Sequence, residues 1–222
     1  MLFDVLRRDP ANPIPGVVHL PGFLALDEQE DLVAQARGLA RAVRGTPVAM
    51  RRPVLKAGQM QAWMLSLGWY WATQPYRMLT EVDGYPVPPV PENYQALAAR
   101  ILAAAREIDP RVGPTPAVET ALVNFYPPGA GMGMHVDAEE ESDNAVVSLS
   151  IGEETVFRIE GPDGNRDLLL MSGDAVVFGG PARRARHGVL GAKPGTGPEG
   201  TGLNEGRINI TMRQMRRYPL RS

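Results

Sequence analysis

A chain of 222 residues, 44% hydrophobic and 22% charged, is long enough to bury one sizeable core and has an ordinary globular composition. A net charge of −2 and the absence of cysteine exclude a uniformly basic nucleic-acid binder, any disulfide and any thiolate metal site. No apolar run approaches the roughly 18 residues of a membrane span, and the first ten residues lack the basic-then-apolar order of a secretion signal, so a cytoplasmic protein is expected.

The first predicted element is a helix. Asp27-Glu28-Gln29-Glu30 reads as an N-cap at Asp27 with glutamate at the third helical position, and Leu32, Val33, Ala36, Leu39, Ala40 and Val43 follow at helical spacing. From Leu32 to Thr80 there is no Asp or Glu, while Arg37, Arg41, Arg44, Arg51, Arg52, Lys56 and Arg77 supply seven positive charges. A local patch of this kind, more than total charge, sets affinity for phosphates, although a solvated helix face with a basic loop would read the same way. Residues 45–91 are rich in aromatics and proline and show no clean period.

A second helix is predicted from Glu92 to Ile108, after Pro91 and before Pro110, with Tyr94, Leu97, Ile101, Leu102, Ala105 and Ile108 on one face. Beyond Pro116 the texture changes to short β-like runs: 120–126, 145–151, 155–160, 167–171, 175–178, 187–190 and 208–213. Turn signals at Gly161-Pro162-Asp163-Gly164-Asn165 and Ser172-Gly173-Asp174 separate several of them, the pattern of a sandwich or jelly roll. Gly191 to Gly206 is a Gly/Pro-rich stretch with few apolar residues, expected to be a mobile loop.

Chemistry concentrates in this second half. The chain has three histidines, and two belong to His135-Val136-Asp137 and a later His187. On a strand, positions i and i+2 share a face, so His135 and Asp137 offer an imidazole and a carboxylate to one ion, and a distant strand can add His187. Two histidines and one carboxylate leave three coordination positions open, the ligand set of non-haem Fe(II) oxygenases. Taken alone, this histidine and aspartate fit a hydrogen-bonded loop residue and a turn former equally well. The residues around them give the pattern its weight. Near the end, Arg207, Asn209, Thr211 and Arg213 would share one strand face, which is costly in a core unless a polar ligand satisfies it.

The series Asn124-Phe125-Tyr126, His135-Val136-Asp137, His187-Gly188 and Arg207-x-Asn209-x-x-x-Arg213 resembles the AlkB family of iron- and 2-oxoglutarate-dependent dioxygenases over roughly residues 116–217. The resemblance implies an α+β chain with a double-stranded β-helix (jelly-roll) core, N-terminal helices and a nucleotide-recognition lid. As one domain over 1–222, it divides into helices and lid within 1–115 (lid about 45–91) and a catalytic core at 116–217. It further implies Fe(II) on His135, Asp137 and His187, which are the catalytic residues. The co-substrate 2-oxoglutarate falls to Asn124, Tyr126, Arg207, Asn209 and Arg213, with O₂ as oxidant; an arginine for each carboxylate is the natural division.

Substrate residues are implied by shorter matches. Gly68-Trp69 and Gln74-Pro75-Tyr76 resemble the segment where the family places a base-stacking aromatic and a phosphate-contacting tyrosine. This favours Trp69 over Trp63 and Trp71, with core packing as the alternative. Glu139 falls where repair members carry an acidic residue near a cationic methylated base, although Glu139-Glu140-Glu141-Ser142-Asp143 also reads as a solvated acidic face. The family's base-contacting arginine has no counterpart near Gly161; Arg158 or Arg166 would stand in. The expected activity is direct reversal of 1-methyladenine and 3-methylcytosine type lesions in alkylated DNA, with RNA as a further substrate, by a monomer that binds no membrane. Hydroxylation of the N-methyl carbon would release formaldehyde, with succinate and CO₂ from the co-substrate. The alternatives are a related oxygenase acting on protein or small molecules, and a non-catalytic nucleic-acid-binding jelly roll.

Overall fold

In the computed structural model, residues 8–56, 58–138 and 140–217 are described. In chain order the main elements are β1 (Val17–Leu20), α1 (Leu26–Ala42), β2 (Trp63–Leu67), β3 (Tyr70–Thr73), β4 (Tyr76–Leu79), α2 (Glu92–Ile108), β5 (Thr120–Tyr126), β6 (Met132–His135), β7 (Val146–Gly152), β8 (Thr155–Gly161), β9 (Gly164–Leu170), β10 (Asp174–Phe178), β11 (His187–Val189) and β12 (Arg207–Arg213). A six-stranded sheet runs β1-β10-β7-β12-β5-β2, and a four-stranded sheet, β6-β11-β8-β9, faces it. All pairings within both are antiparallel. This is the expected α+β jelly roll.

The larger sheet is covered on both faces, and the period of two sorts its side chains. Val147, Leu149, Ile151, Ala175, Val177, Ile208, Ile210 and Met212 pack with Leu32, Val33 and Ala36 of α1 and with Tyr94, Ala98, Ile101, Leu102 and Ala105 of α2. The alternate residues Val146, Val176 and Phe178 look inward with Phe157, Ile159, Leu170 and Val189 of the smaller sheet. On β5 and β12 the inward positions are instead largely polar, and this break in the apolar lining marks the site.

The structure departs from the sequence reading in several places. The first helix begins at Leu26 with Ala25 as its cap; Asp27 lies in the first turn, and Glu28 Oε2 accepts the Ala25 N–H at 3.0 Å. The sheet also reaches back before residue 116: β1 pairs with β10 and β2 with β5, so residues expected in the helical and lid region supply two strands. β1 is pinned by buried Asp174, whose carboxylate meets His19 Nε2 at 2.9 Å and Arg8, and accepts the Gly22 N–H at 2.8 Å. The 191–206 stretch has no regular structure, yet it is tied down rather than loose. Gly129 N–H donates to Ala192 O, Ala192 N–H to Ala130 O, Lys193 N–H to Glu154 O and Gly195 N–H to Glu153 Oε1. Among the described residues, no helix is long and apolar enough to cross a membrane.

Candidate metal and co-substrate site

β6 and β11 bring two imidazoles together, with His135 opposite His187 in register and ring centroids 4.5 Å apart. Gly188 permits this approach, since a Cβ there would lie 2.8 Å from Met132 O. Asp137 lies two residues beyond the end of β6, in a loop and not on the strand face the sequence suggested. It still converges: His135 Nε2 lies 3.7 Å from Asp137 Oδ1, and His187 Nε2 lies 3.7 Å from Oδ2. The three residues offer ligand atoms within 4.8 Å of one another.

The tautomers follow from the partners. His135 Nδ1 meets Gly133 O at 2.9 Å and His187 Nδ1 meets Ala185 O at 3.0 Å. A carbonyl can only accept, so each Nδ1 carries the proton and each Nε2 lone pair is directed at the cluster, as a metal requires. Burial pushes the His187 pKa down to about 4 against the opposing pull of Asp137. Burial also pushes Asp137 up, but the Arg213 guanidinium beside it leads the opposing charges and the carboxyl is held below its ordinary range. A neutral His187 imidazole and an ionised Asp137 carboxylate are therefore ready for a divalent cation near neutral pH.

This state predicts a pH dependence for the metal-free protein. With a folded pKa of about 4 and an unfolded one near 6.5, His187 makes the unfolded chain the better proton acceptor between them, so stability falls as pH drops through that window. Asp137, depressed in the fold, adds stability above roughly pH 3.9 that is lost only in stronger acid. Melting temperature should thus decline from about pH 6.5 to 4, and His187→Asn should flatten the decline. Parallel curves for parent and variant would contradict the assigned environment.

The cluster opens into a cavity of about 770 Å³, lined by Asn124 and Tyr126 of β5, Arg207, Asn209, Thr211 and Arg213 of β12, and Trp71 and Tyr76 of the β3–β4 hairpin. Asn209 is saturated: Nδ2 donates to Ser148 Oγ at 2.8 Å and Leu149 O at 2.9 Å, while Oδ1 accepts from Thr211 Oγ1 and Asn124 Nδ2. Asn124 Oδ1 and Arg207 Nη1 are buried with no hydrogen-bond partner among the described residues. Arg207 is almost wholly buried; its Nε donates to Ser150 Oγ at 2.8 Å and its guanidinium lies 5.1 Å from the Tyr126 ring centroid. Burial pushes its pKa down and pushes that of Tyr126 up, so the phenol stays protonated. A buried cation with an unclaimed donor fits an anionic ligand such as a carboxylate. The two arginines differ: Arg213 Nη2 already meets Asp137 Oδ2 at 2.9 Å, and Nη1 lies 3.8 Å from Glu140 Oε2.

The other candidates scatter. Trp71 and Tyr76 stack edge to face at 5.3 Å on the cavity wall, whereas Trp69 is not among the lining residues and carries Arg216 over its ring at 5.2 Å. Arg158 lines the cavity and pairs with Asp167 across β8 and β9; Arg166 does not line it. Glu139 lies outside the described residues. Its neighbour Glu140 is buried against Arg183, so the acidic run is not a uniformly solvated face. Arg51 and Arg52 turn inward from the basic stretch. Arg51 donates to Tyr70 Oη and Trp71 O, and Arg52 Nε donates to Met60 O at 2.8 Å. Arg183 and Arg184 escaped the sequence reading, because their partners are 39 to 47 residues away and are mostly main-chain atoms without a sequence signature; Arg51, expected to face phosphate, is instead engaged within the chain.

Residues 16–213 match the sequence profile of the 2OG-Fe(II) oxygenase superfamily. The chain is 34% identical to an alpha-ketoglutarate-dependent dioxygenase AlkB homolog of Caulobacter vibrioides, over 93% of this chain and 91% of that protein. It is 30% identical to the DNA N(6)-methyladenine demethylase ALKBH1D of Arabidopsis thaliana, over 90% of this chain but about half (49%) of the plant protein's length. The solved structure of OsALKBH1 superposes with a TM-score of 0.82 at 27% identity, covering 93% of this chain and all of that one.

Proposed function

This chain belongs to the AlkB family of the 2OG-Fe(II) oxygenase superfamily, an Fe(II)- and 2-oxoglutarate-dependent dioxygenase, and on that premise we propose that it removes N-linked methyl groups from nucleobases by direct reversal. The proposed substrates are 1-methyladenine and 3-methylcytosine in alkylated DNA, with RNA as a further substrate. The observation that carries the proposal is the lining of the cavity. The polar face of β12 and β5, the His135–Asp137–His187 cluster and the aromatic hairpin residues Trp71 and Tyr76 all line the same space. Its volume suits a flat base together with a small dicarboxylate.

When bound, iron and 2-oxoglutarate supply the oxidising equivalent from O₂, with succinate and CO₂ as by-products. His135, Asp137 and His187 would hold the metal. Arg207 would anchor a co-substrate carboxylate beside Tyr126 and Asn124, while saturated Asn209 holds Asn124 in place. Arg213, engaged with Asp137, would orient the metal carboxylate and meet the co-substrate at its metal-proximal end. Trp71 replaces Trp69 as the proposed stacking platform, with Arg51 fixing its main chain. Hydroxylation of the N-methyl carbon leaves a hemiaminal that loses formaldehyde.

Formaldehyde release from oligonucleotides, single- and double-stranded, each bearing one N-methylated base, tests the proposal. Release from 1-methyladenine and 3-methylcytosine DNA is expected. N6-methyladenine is the second substrate to include, since the similar plant protein is a demethylase of that base. Succinate formation without formaldehyde from any nucleic acid, yet with a protein or small-molecule substrate, would overturn the nucleic-acid assignment.

The binding surface gives a further prediction. Lys56 and Arg77 are exposed and adjoin the cavity-lining residues Leu55 and Tyr76 in sequence, while Arg51 and Arg52 are engaged within the chain. Replacing Lys56 and Arg77 by alanine should lower the salt slope of nucleic-acid binding by roughly 0.7–0.9 for each phosphate that is no longer neutralised. Trp71→Ala should weaken binding by about 1–3 kcal/mol through the absence of stacking, with the slope unchanged. Unaltered slope and affinity in these variants would move the recognition surface elsewhere.

A further inference from the structure

Asp137 sits in a segment with little regular support of its own, since none of the described residues of 136–145 belongs to a strand. What holds it comes from the turn that precedes β11. After β10 the chain makes a short 3-10 turn, Gly180–Ala182, and then presents Arg183 and Arg184, four and three residues before His187. Arg184 Nη1 donates to Asp137 O at 2.6 Å, and its Nη2 to Glu140 O at 2.9 Å and Ser142 O at 3.1 Å. Arg183 Nε donates to Asn144 O at 2.8 Å, Nη1 reaches Asp137 O at 3.4 Å, and Nη2 pairs with Glu140 Oε1. Glu140 in turn faces Arg213, which holds the Asp137 carboxylate.

From this arrangement we infer that Arg183 and Arg184 are positioning residues for the metal centre, fixing the main chain of Asp137 at the place where its carboxylate meets both imidazoles. Two guanidinium groups occupy four main-chain carbonyls of one loop, and the planar fork of arginine suits such multiple donation in a way a lysine ammonium does not. Neither arginine lines the cavity, so neither touches co-substrate or base. Their effect passes through Asp137. Because the same turn leads into His187, one element sets the third ligand and clamps the second.

The inference rests on the assigned metal ligands, and the test separates the two. Fe(II) affinity is measured under nitrogen, with Co(II) absorption as a second probe, alongside the melting temperature of the metal-free protein. Arg184→Gln should raise the metal dissociation constant by roughly 10–100-fold, the range seen when groups that orient ligands are removed. The metal-free melting temperature should stay near that of the parent, and Arg184→Lys should recover only part of the affinity. Arg183→Lys, at the buried end of the clamp, should weaken metal binding in the same direction. His135→Ala is the control. If it loses metal while Arg184→Gln binds as the parent does, or weakens only in proportion to the fraction unfolded, the positioning role falls. If His135→Ala itself binds normally, the metal assignment fails first.

Discussion

Replacing His135, Asp137 or His187 by alanine should abolish turnover in each case while the β-core stays folded. Each substitution removes one of three ligand groups gathered within 4.8 Å, and the two that remain cannot hold Fe(II) in facial geometry. The three variants should nonetheless differ without metal. His135 is the most exposed of the three side chains, so its loss should cost little stability. Asp137→Ala leaves Arg213 buried without its 2.9 Å partner, and removing one member of a buried pair costs about 3–5 kcal/mol. In a domain of this size that corresponds to a fall in melting temperature of roughly 6–20 °C. Succinate formation, iron titration and melting curves measure all of this; near-native turnover in all three variants would rule out the assigned site.

How far the sequence reached follows from the range of the interactions involved. The inward face of β12 was legible because a period of two puts Arg207, Asn209, Thr211 and Arg213 on one side, a grouping no apolar core tolerates. The ligand triad was legible because histidine is scarce in this chain and the flanking motifs fix the order. What escaped depended on distant partners. β1 and β2 are ordinary short apolar runs whose place is set by pairing with β10 and β5, more than fifty residues away. Glu140 looked solvated within an acidic run because its partner Arg183 lies 43 residues downstream. Spacing could not choose between Trp69 and Trp71, which are two residues apart and share a strand phase: Trp71 lies on β3 and lines the cavity, while Trp69 sits in the preceding bend under Arg216. Arg51 looked like a phosphate ligand because a sequence shows charge but not the carbonyl that consumes it.

Arg207→Met should abolish most of the affinity for 2-oxoglutarate without weakening the protein that lacks it. Arg207 is a nearly fully buried cation with Nη1 unclaimed, an arrangement that costs the empty fold and is relieved when a carboxylate arrives. Truncating one side of a buried charged pair costs about 2–5 kcal/mol, so the dissociation constant should rise at least about thirtyfold. An apolar side chain of similar length removes the desolvated charge, so the variant without co-substrate should melt no earlier than the parent. Arg207→Lys should fall between them, keeping the charge but losing the fork that pairs with a carboxylate in two places. Arg213→Ala should weaken co-substrate less directly and lower metal affinity as well, because its guanidinium already serves Asp137. The measurement is melting temperature against 2-oxoglutarate concentration, anaerobically with Fe(II) present. At a hundred times the parent's dissociation constant the ligand should stabilise the parent by about 2.7 kcal/mol and the Arg207→Met variant by far less. An equal shift in parent and variant would mean that β12 does not bind the co-substrate, and that the buried guanidinium serves the fold alone.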